Sequence, residues 1–243
     1  AWNGVTAALL AEKGFSGPEK LLDGKRGFWI MAGSDKYAPD TMIKDLGKEY
    51  LIHEISFKPY PTCRSIHPAI DATLSIVRKS KLRLKEIDTI VVKTFKVAAS
   101  LSNPLPNSMG EAQFSVPYLV AVAIVEGKIG PNSYADEQLR NSEKLGLAGK
   151  VELVLDPKME RLYPERLMAR VEVRTRDGRS YTEQSNFPKG DPQNPMTSEE
   201  LKHKFEGLAS RVYDYERIQD LIKLIDELED LNDIEDLTKL LGE

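Results

Sequence analysis

Three prolines fall within the ten residues from Pro59 to Pro68, and they restrict the surrounding chain more than any other feature does. Pro59 and Pro61 fix φ and remove amide donors, which bars a helix and pushes the residues before them towards extended backbone. Pro68 has the opposite use. At the first turn of a helix its missing N–H would be unpaired anyway, so a helix is expected from Pro68 to about Ser80. A stiff loop therefore leads into a helix N-terminus, and Lys58, Tyr60, Cys63, Arg64 and His67 all lie on that loop.

Those residue types favour an anion. The free amides and positive dipole end of a helix attract a carboxylate or phosphate. Arg64 can grip a carboxylate with two nitrogens, Lys58 acts as a point charge, and His67 can move a proton near neutral pH. On residues alone the stretch also fits a solvated surface loop in which His67 caps a helix. Cys63, taken alone, reads as a small buried hydrophobe more readily than as a nucleophile.

The remaining composition narrows the function classes. A chain of 243 residues with 41% hydrophobic and 30% charged residues is long enough for one large domain or two small ones. A net charge of −4, spread along the chain, gives no footprint for nucleic acid. One cysteine excludes an internal disulfide and an iron–sulfur cluster ligated by this chain alone, and it suits a reducing compartment. No apolar run approaches the 18 or so residues of a membrane span. His53 and His203 show no ligand spacing to each other or to His67, so no metal site is expected. The chain opens at Ala1 directly in a helical pattern, which is expected of a segment that begins inside a domain.

Along the chain, helices are expected over 1–13, over 19–22 after Ser16-Gly17-Pro18, over 116–126, over 135–146 and from Ser198 to about Val212. Ser115 is the N-cap and Gly127 the stop of the apolar segment. Residues 52–57 read as a strand that delivers Lys58, and Ile87–Val97, Val151–Leu155, Leu167–Thr175 and Ser180–Ser185 read as further strands. Asp177-Gly178 is a hairpin signal between the last two. At Pro188-Lys189-Gly190-Asp191-Pro192 the composition shifts and the sheet is expected to stop. A final helix carries one apolar stripe from Ile218 to Leu231. An α+β layer with its sheet covered on one face follows.

Several of these stretches together resemble the MmgE/PrpD family. They are Asn3-Gly4 through Ala11 with Gly14-Phe15-Ser16-Gly17-Pro18; Lys58-Pro59-Tyr60-Pro61 with Cys63-Arg64 and His67-Pro68-Ala69-Ile70-Asp71; Phe114-Ser115-Val116-Pro117-Tyr118; and Pro188 to Pro192 with Asn194-Pro195 and Lys204-Phe205. They stand in the family's order and cover its C-terminal part. The resemblance implies an α+β lid-like domain with a small, mainly antiparallel sheet (51–188), flanked by helices of an all-helical domain: its C-terminal end at 1–50 and its return at 189–243. It implies a lyase or isomerase of small polycarboxylates, such as 2-methylcitrate in propionate metabolism, that works without metal or organic cofactor. Dehydration of 2-methylcitrate-type substrates is the leading expectation, with decarboxylation and epimerisation as the family's other reactions.

Carried over residue by residue, the resemblance makes Lys58 and Arg64 substrate-carboxylate ligands, His67 a proton donor or substrate contact, and Tyr60 part of the pocket wall. Tyr118 is a further substrate-binding candidate, with core filling as its alternative. The family's remaining acid/base groups have no counterpart here, so the chain by itself is expected to hold an incomplete site and to turn over little. A cytoplasmic homodimer is implied. The alternative is a non-catalytic binding or dimerisation module that keeps the lid fold.

Overall fold

The computed structural model describes residues 2–18, 21–22, 27–33, 38–80 and 82–242, apart from the side chains of Pro39 and Met42. They divide into two units, one ending at Ile52 and one running from His53. The first holds α1 (Trp2–Glu12), α2 (Phe28–Met31) and α3 (Pro39–Ile43). Gly14, at φ 85°, follows the turn that ends α1. The helix expected over 19–22 falls partly outside the described residues, and Leu21 and Leu22 are not helical.

The second unit runs α4 (His67–Lys79), β1 (Ile87–Thr94), α5 (Lys96–Ala99), α6 (Met109–Ala112), α7 (Val116–Glu126), α8 (Asp136–Leu139), α9 (Ser142–Ala148), β2 (Val151–Leu155), α10 (Pro157–Arg161), β3 (Ala169–Thr175), β4 (Ser180–Ser185), α11 (Ser198–Ala209), α12 (Tyr215–Asp226) and α13 (Glu235–Leu241). The sheet order is β2-β1-β3-β4, with β1 and β2 parallel and the other two pairings antiparallel. This is the expected small, mainly antiparallel sheet in an α+β fold. Thr175 N–H bonds the Arg179 carbonyl across the hairpin, and Gly178 takes the positive φ, 86°, that its turn requires.

The core lies between the sheet and the α4 and α7 helices. Ile66, Ile70 and Ile76 from the α4 side meet Ile90, Val92, Val171 and Val173 from the strands, with Leu119 and Val122 of α7 behind them. Each fully buried aliphatic side chain contributes about 1.5–3 kcal/mol. Ser115 caps α7 by accepting from Tyr118 N–H, and Gly127 ends it at φ 66°. Lys144 on α9 is buried against Glu126 and Gln138, and Glu126 also accepts from Ser133 Oγ, so α7, α9 and the turn between them share one polar cluster.

Three local expectations are corrected. Residues 52–57 are not a strand: Leu51–Glu54 form a 3₁₀ turn, and Phe57 N–H finds one backbone partner, the Gly190 carbonyl, at 2.9 Å. None of the four strands, in the order β2-β1-β3-β4, pairs with this stretch, so it has no ladder to join. The helix expected over 135–146 is two, because the Asn141 side chain accepts from Lys144 N–H and restarts the chain as α9. The last helix stops at Asp226. Acidic residues 226, 227, 229 and 230 crowd the negative end of its dipole, and Asp233 then accepts from Glu235 N–H where the chain re-enters a helix as α13.

Candidate active site

The loop from Phe57 to Ile66 is held from both ends of the second unit. On one side it is tied to the residue two positions before the α7 cap: Cys63 N–H and Thr62 Oγ1 both donate to the Gln113 carbonyl, at 3.1 and 2.6 Å, and Gln113 Nε2 returns a bond to the Pro61 carbonyl. A short 3₁₀ turn over Arg64–Ile66 then runs straight into α4, with Pro68 in its first turn as its fixed φ suits.

On the other side the loop meets the turn that follows β4. Gly190 sits at φ +91°, and a Cβ there would lie 1.8 Å from the Phe57 carbonyl oxygen. Backbone packs on backbone, which only glycine allows. Lys189 N–H donates to Asp71 Oδ2 at 2.8 Å, and the Tyr60 hydroxyl donates to Asp71 Oδ1 at 2.7 Å. Asp191 is 5% exposed and pairs with the half-buried Arg64 guanidinium. From α11, Lys204 Nζ reaches the Lys58 carbonyl at 2.8 Å, and Lys58 Nζ in turn donates to the Thr62 carbonyl at 3.2 Å.

His67 lies at the centre of this assembly and is completely buried. Its ring tilts over Tyr60 at 5.2 Å between centroids. Among the described residues neither ring nitrogen makes a well-formed hydrogen bond. Burial holds its pKa down at about 4; Lys58, Arg64 and Lys204 add to the effect, and the Thr62 backbone works against it. The imidazole is therefore neutral at pH 7, with one N–H to donate and one nitrogen to accept. Burial, followed by the Asp71 charge and hydrogen bond, raises the Tyr60 pKa, so the phenol keeps its proton. Burial likewise raises Asp71, against the pull of the Lys189 amide and Tyr60.

Four of the sequence-derived residues, Lys58, Tyr60, Arg64 and His67, thus meet at one place. Tyr118 does not join them directly. It is fully buried in α7, its hydroxyl donates to the Ser133 carbonyl at 2.7 Å, and burial pushes its pKa to about 12. Its link to the loop runs through Tyr134, which feels both Tyr118 and the Thr62 side chain. Lys189, Asp191 and Lys204 were not singled out as site residues from sequence. The available signal was Lys189-Gly190-Asp191 between two prolines, a stiff turn presenting charges of both signs.

Among the described residues no three His, Cys, Asp or Glu side chains gather as a metal site, and no helix is long and apolar enough to cross a membrane.

A family model described as MmgE/PrpD C-terminal domain matches residues 60–230. A cis-aconitate decarboxylase of Homo sapiens is 29% identical over 252 residues, covering 99% of this chain and 51% of that protein. The Mus musculus protein of the same name is 26% identical over 249 residues, with 99% and 50% covered. One from Aspergillus terreus is 26% identical over 250 residues, with 95% and 51% covered. The chain spans about half the length of these curated relatives.

Proposed function

The chain belongs to the MmgE/PrpD family, as its C-terminal part, and from that premise we propose that it carries the carboxylate-binding side of a lyase acting on small polycarboxylates. The observation that carries this reading is the convergence of three cations, Lys58, Arg64 and Lys204, on one buried neutral imidazole. Asp191 offsets only one of these charges, and Lys58 and Lys204 meet backbone carbonyls rather than carboxylates, so the excess positive charge around a desolvated group favours an incoming anion. Substrate carboxylates supply that anion.

Arg64 and Lys58 grip the carboxylates in this reading, with Lys204 as a third cation. His67 donates or accepts one hydrogen bond at the reacting end, and Tyr60, its hydroxyl committed to Asp71, serves as pocket wall. In a decarboxylation the C–C bond to the leaving carboxylate breaks, carbon dioxide departs, and the electron pair spreads into the remaining unsaturated carboxylate until a proton quenches it. In a dehydration a proton is removed beside a carboxylate and hydroxide leaves. Both build negative charge on a carboxylate, and fixed cations lower such barriers. The names of the relatives favour a cis-aconitate-type decarboxylation over dehydration of 2-methylcitrate. Acid/base groups from outside these residues complete the chemistry, and homodimerisation is part of the same reading.

The test is turnover by the full-length protein of cis-aconitate and of 2-methylcitrate, followed by NMR, beside thermal shifts with citrate and monocarboxylate controls. A ligand at a hundredfold excess over its Kd stabilises the native state by about 2.7 kcal/mol. Arg64→Ala and His67→Ala are expected to lose most turnover while still folding. Near-normal turnover in both variants would refute the assignment.

A further inference from the structure

Arg64 would be a poor anchor if its guanidinium were free to wander, and the residue that stops it comes from 127 positions further along the chain. We propose that Asp191 is a positioning residue of the carboxylate site: it holds Arg64 by one edge and leaves the other edge for substrate. The proposal rests on the reading of the loop as a polycarboxylate site.

The backbone that carries this carboxylate is pinned. Asp191 is 5% exposed and follows Gly190, whose backbone is pressed onto the Phe57 carbonyl. Its own N–H bonds the Pro188 carbonyl at 3.1 Å, its carbonyl accepts from Asn194 N–H at 2.9 Å, and Pro192 fixes the next φ. Its partner is half-buried, with 27% of its side chain exposed. The pair engages the terminal Nη2, and Nε and Nη1 carry no other hydrogen bond among the described residues. A guanidinium is a planar fork, so clamping one terminal nitrogen sets the plane in which the others present themselves. Asp191 also offsets one of the three positive charges beside His67, which lets Arg64 stay desolvated between substrate visits.

Without Asp191, an arginine's side-chain freedom has to be removed at binding. Asp191→Asn is therefore expected to raise KM for cis-aconitate by about tenfold and to change kcat by less than about threefold. In an Arg64→Ala background the same change is expected to do almost nothing, because its effect runs through Arg64. Asp191→Glu keeps the charge but pushes the fork outward, so it should raise KM by less than Asp191→Asn at unchanged kcat; it also serves if the Asn variant folds poorly by circular dichroism. A lower KM in Asp191→Asn would show a competitor for Arg64 and overturn the proposal. Equal losses with and without Arg64, or a loss confined to kcat, would overturn it as well. An Arg64→Ala variant with unchanged KM would instead refute the carboxylate site itself, so the two failures are separable.

Discussion

The buried histidine makes stability depend on pH in a direction that can be worked out in advance. An imidazole that titrates near 6.5 in an unfolded chain and at about 4 in the folded protein binds a proton in the unfolded state first. Its folded pKa is depressed, so its contribution is fully present above pH 6.5 and is lost as pH falls towards 4. One proton costs about 1.4 kcal/mol per pH unit, giving about 3 kcal/mol over the whole window and somewhat over 2 kcal/mol by pH 4.5. Urea unfolding of the wild type and of His67→Gln at steps from pH 7.5 to 4.5 isolates this contribution, since Asp71 and every other titrating group cancel in the difference. Wild type should lose stability relative to the variant by about 2 kcal/mol or more across that range. In parallel, the His67 ring resonance should stay in its neutral form down to about pH 5. Parallel unfolding curves, or a ring that charges near pH 6.5, would refute the desolvated imidazole and with it the neutral-histidine chemistry proposed above.

Two further perturbations test the framework that holds the site. Gly190→Ala should cost more than about 3 kcal/mol in chemical denaturation, because the new methyl meets the Phe57 carbonyl at 1.8 Å in addition to the strain of φ +91°. Gly178→Ala, with a comparable φ of +86° and nothing within 4 Å, should cost only about 1 kcal/mol, and equal losses would mean the close approach is absent. Lys144→Met should cost about 1.5 kcal/mol by leaving the half-buried Glu126 without its cation, and adding Glu126→Gln should restore much of it; an additive double variant would argue against the pair.

What could be read from sequence was local. The Ser115 cap, the Gly127 stop and the Asp177-Gly178 hairpin each need only residues a few positions apart, so their signals survive without knowledge of the fold. The α4 start at His67-Pro68 was legible for the same reason. The strand expected over 52–57 failed on a non-local condition. Ile52, Ile55 and Phe57 have strand-like character, but a strand exists only where a neighbour offers a ladder, and here the neighbour is one residue, Gly190. The split of 135–146 turned on Asn141 preferring a cap to a helix interior, a choice that propensity alone does not settle.

The same distinction explains which part of the candidate site was visible. Lys58, Tyr60, Arg64 and His67 lie within ten residues, and their convergence follows from one proline-stiffened loop. Lys189 and Asp191 join them where Gly190 lets two backbones touch, which turns an apparent end to the sheet into the second wall of the site, and Lys204 reaches Lys58 from the more distant α11. The wall is expected to contribute to the burial of His67, which is complete. A substitution at Gly190 that opens the turn should therefore rehydrate the imidazole as well as destabilise the chain, raising its pKa back towards 6.5. Loss of stability in Gly190→Ala without a shift in the His67 titration would mean that the loop alone desolvates the ring and that the turn is only a staple.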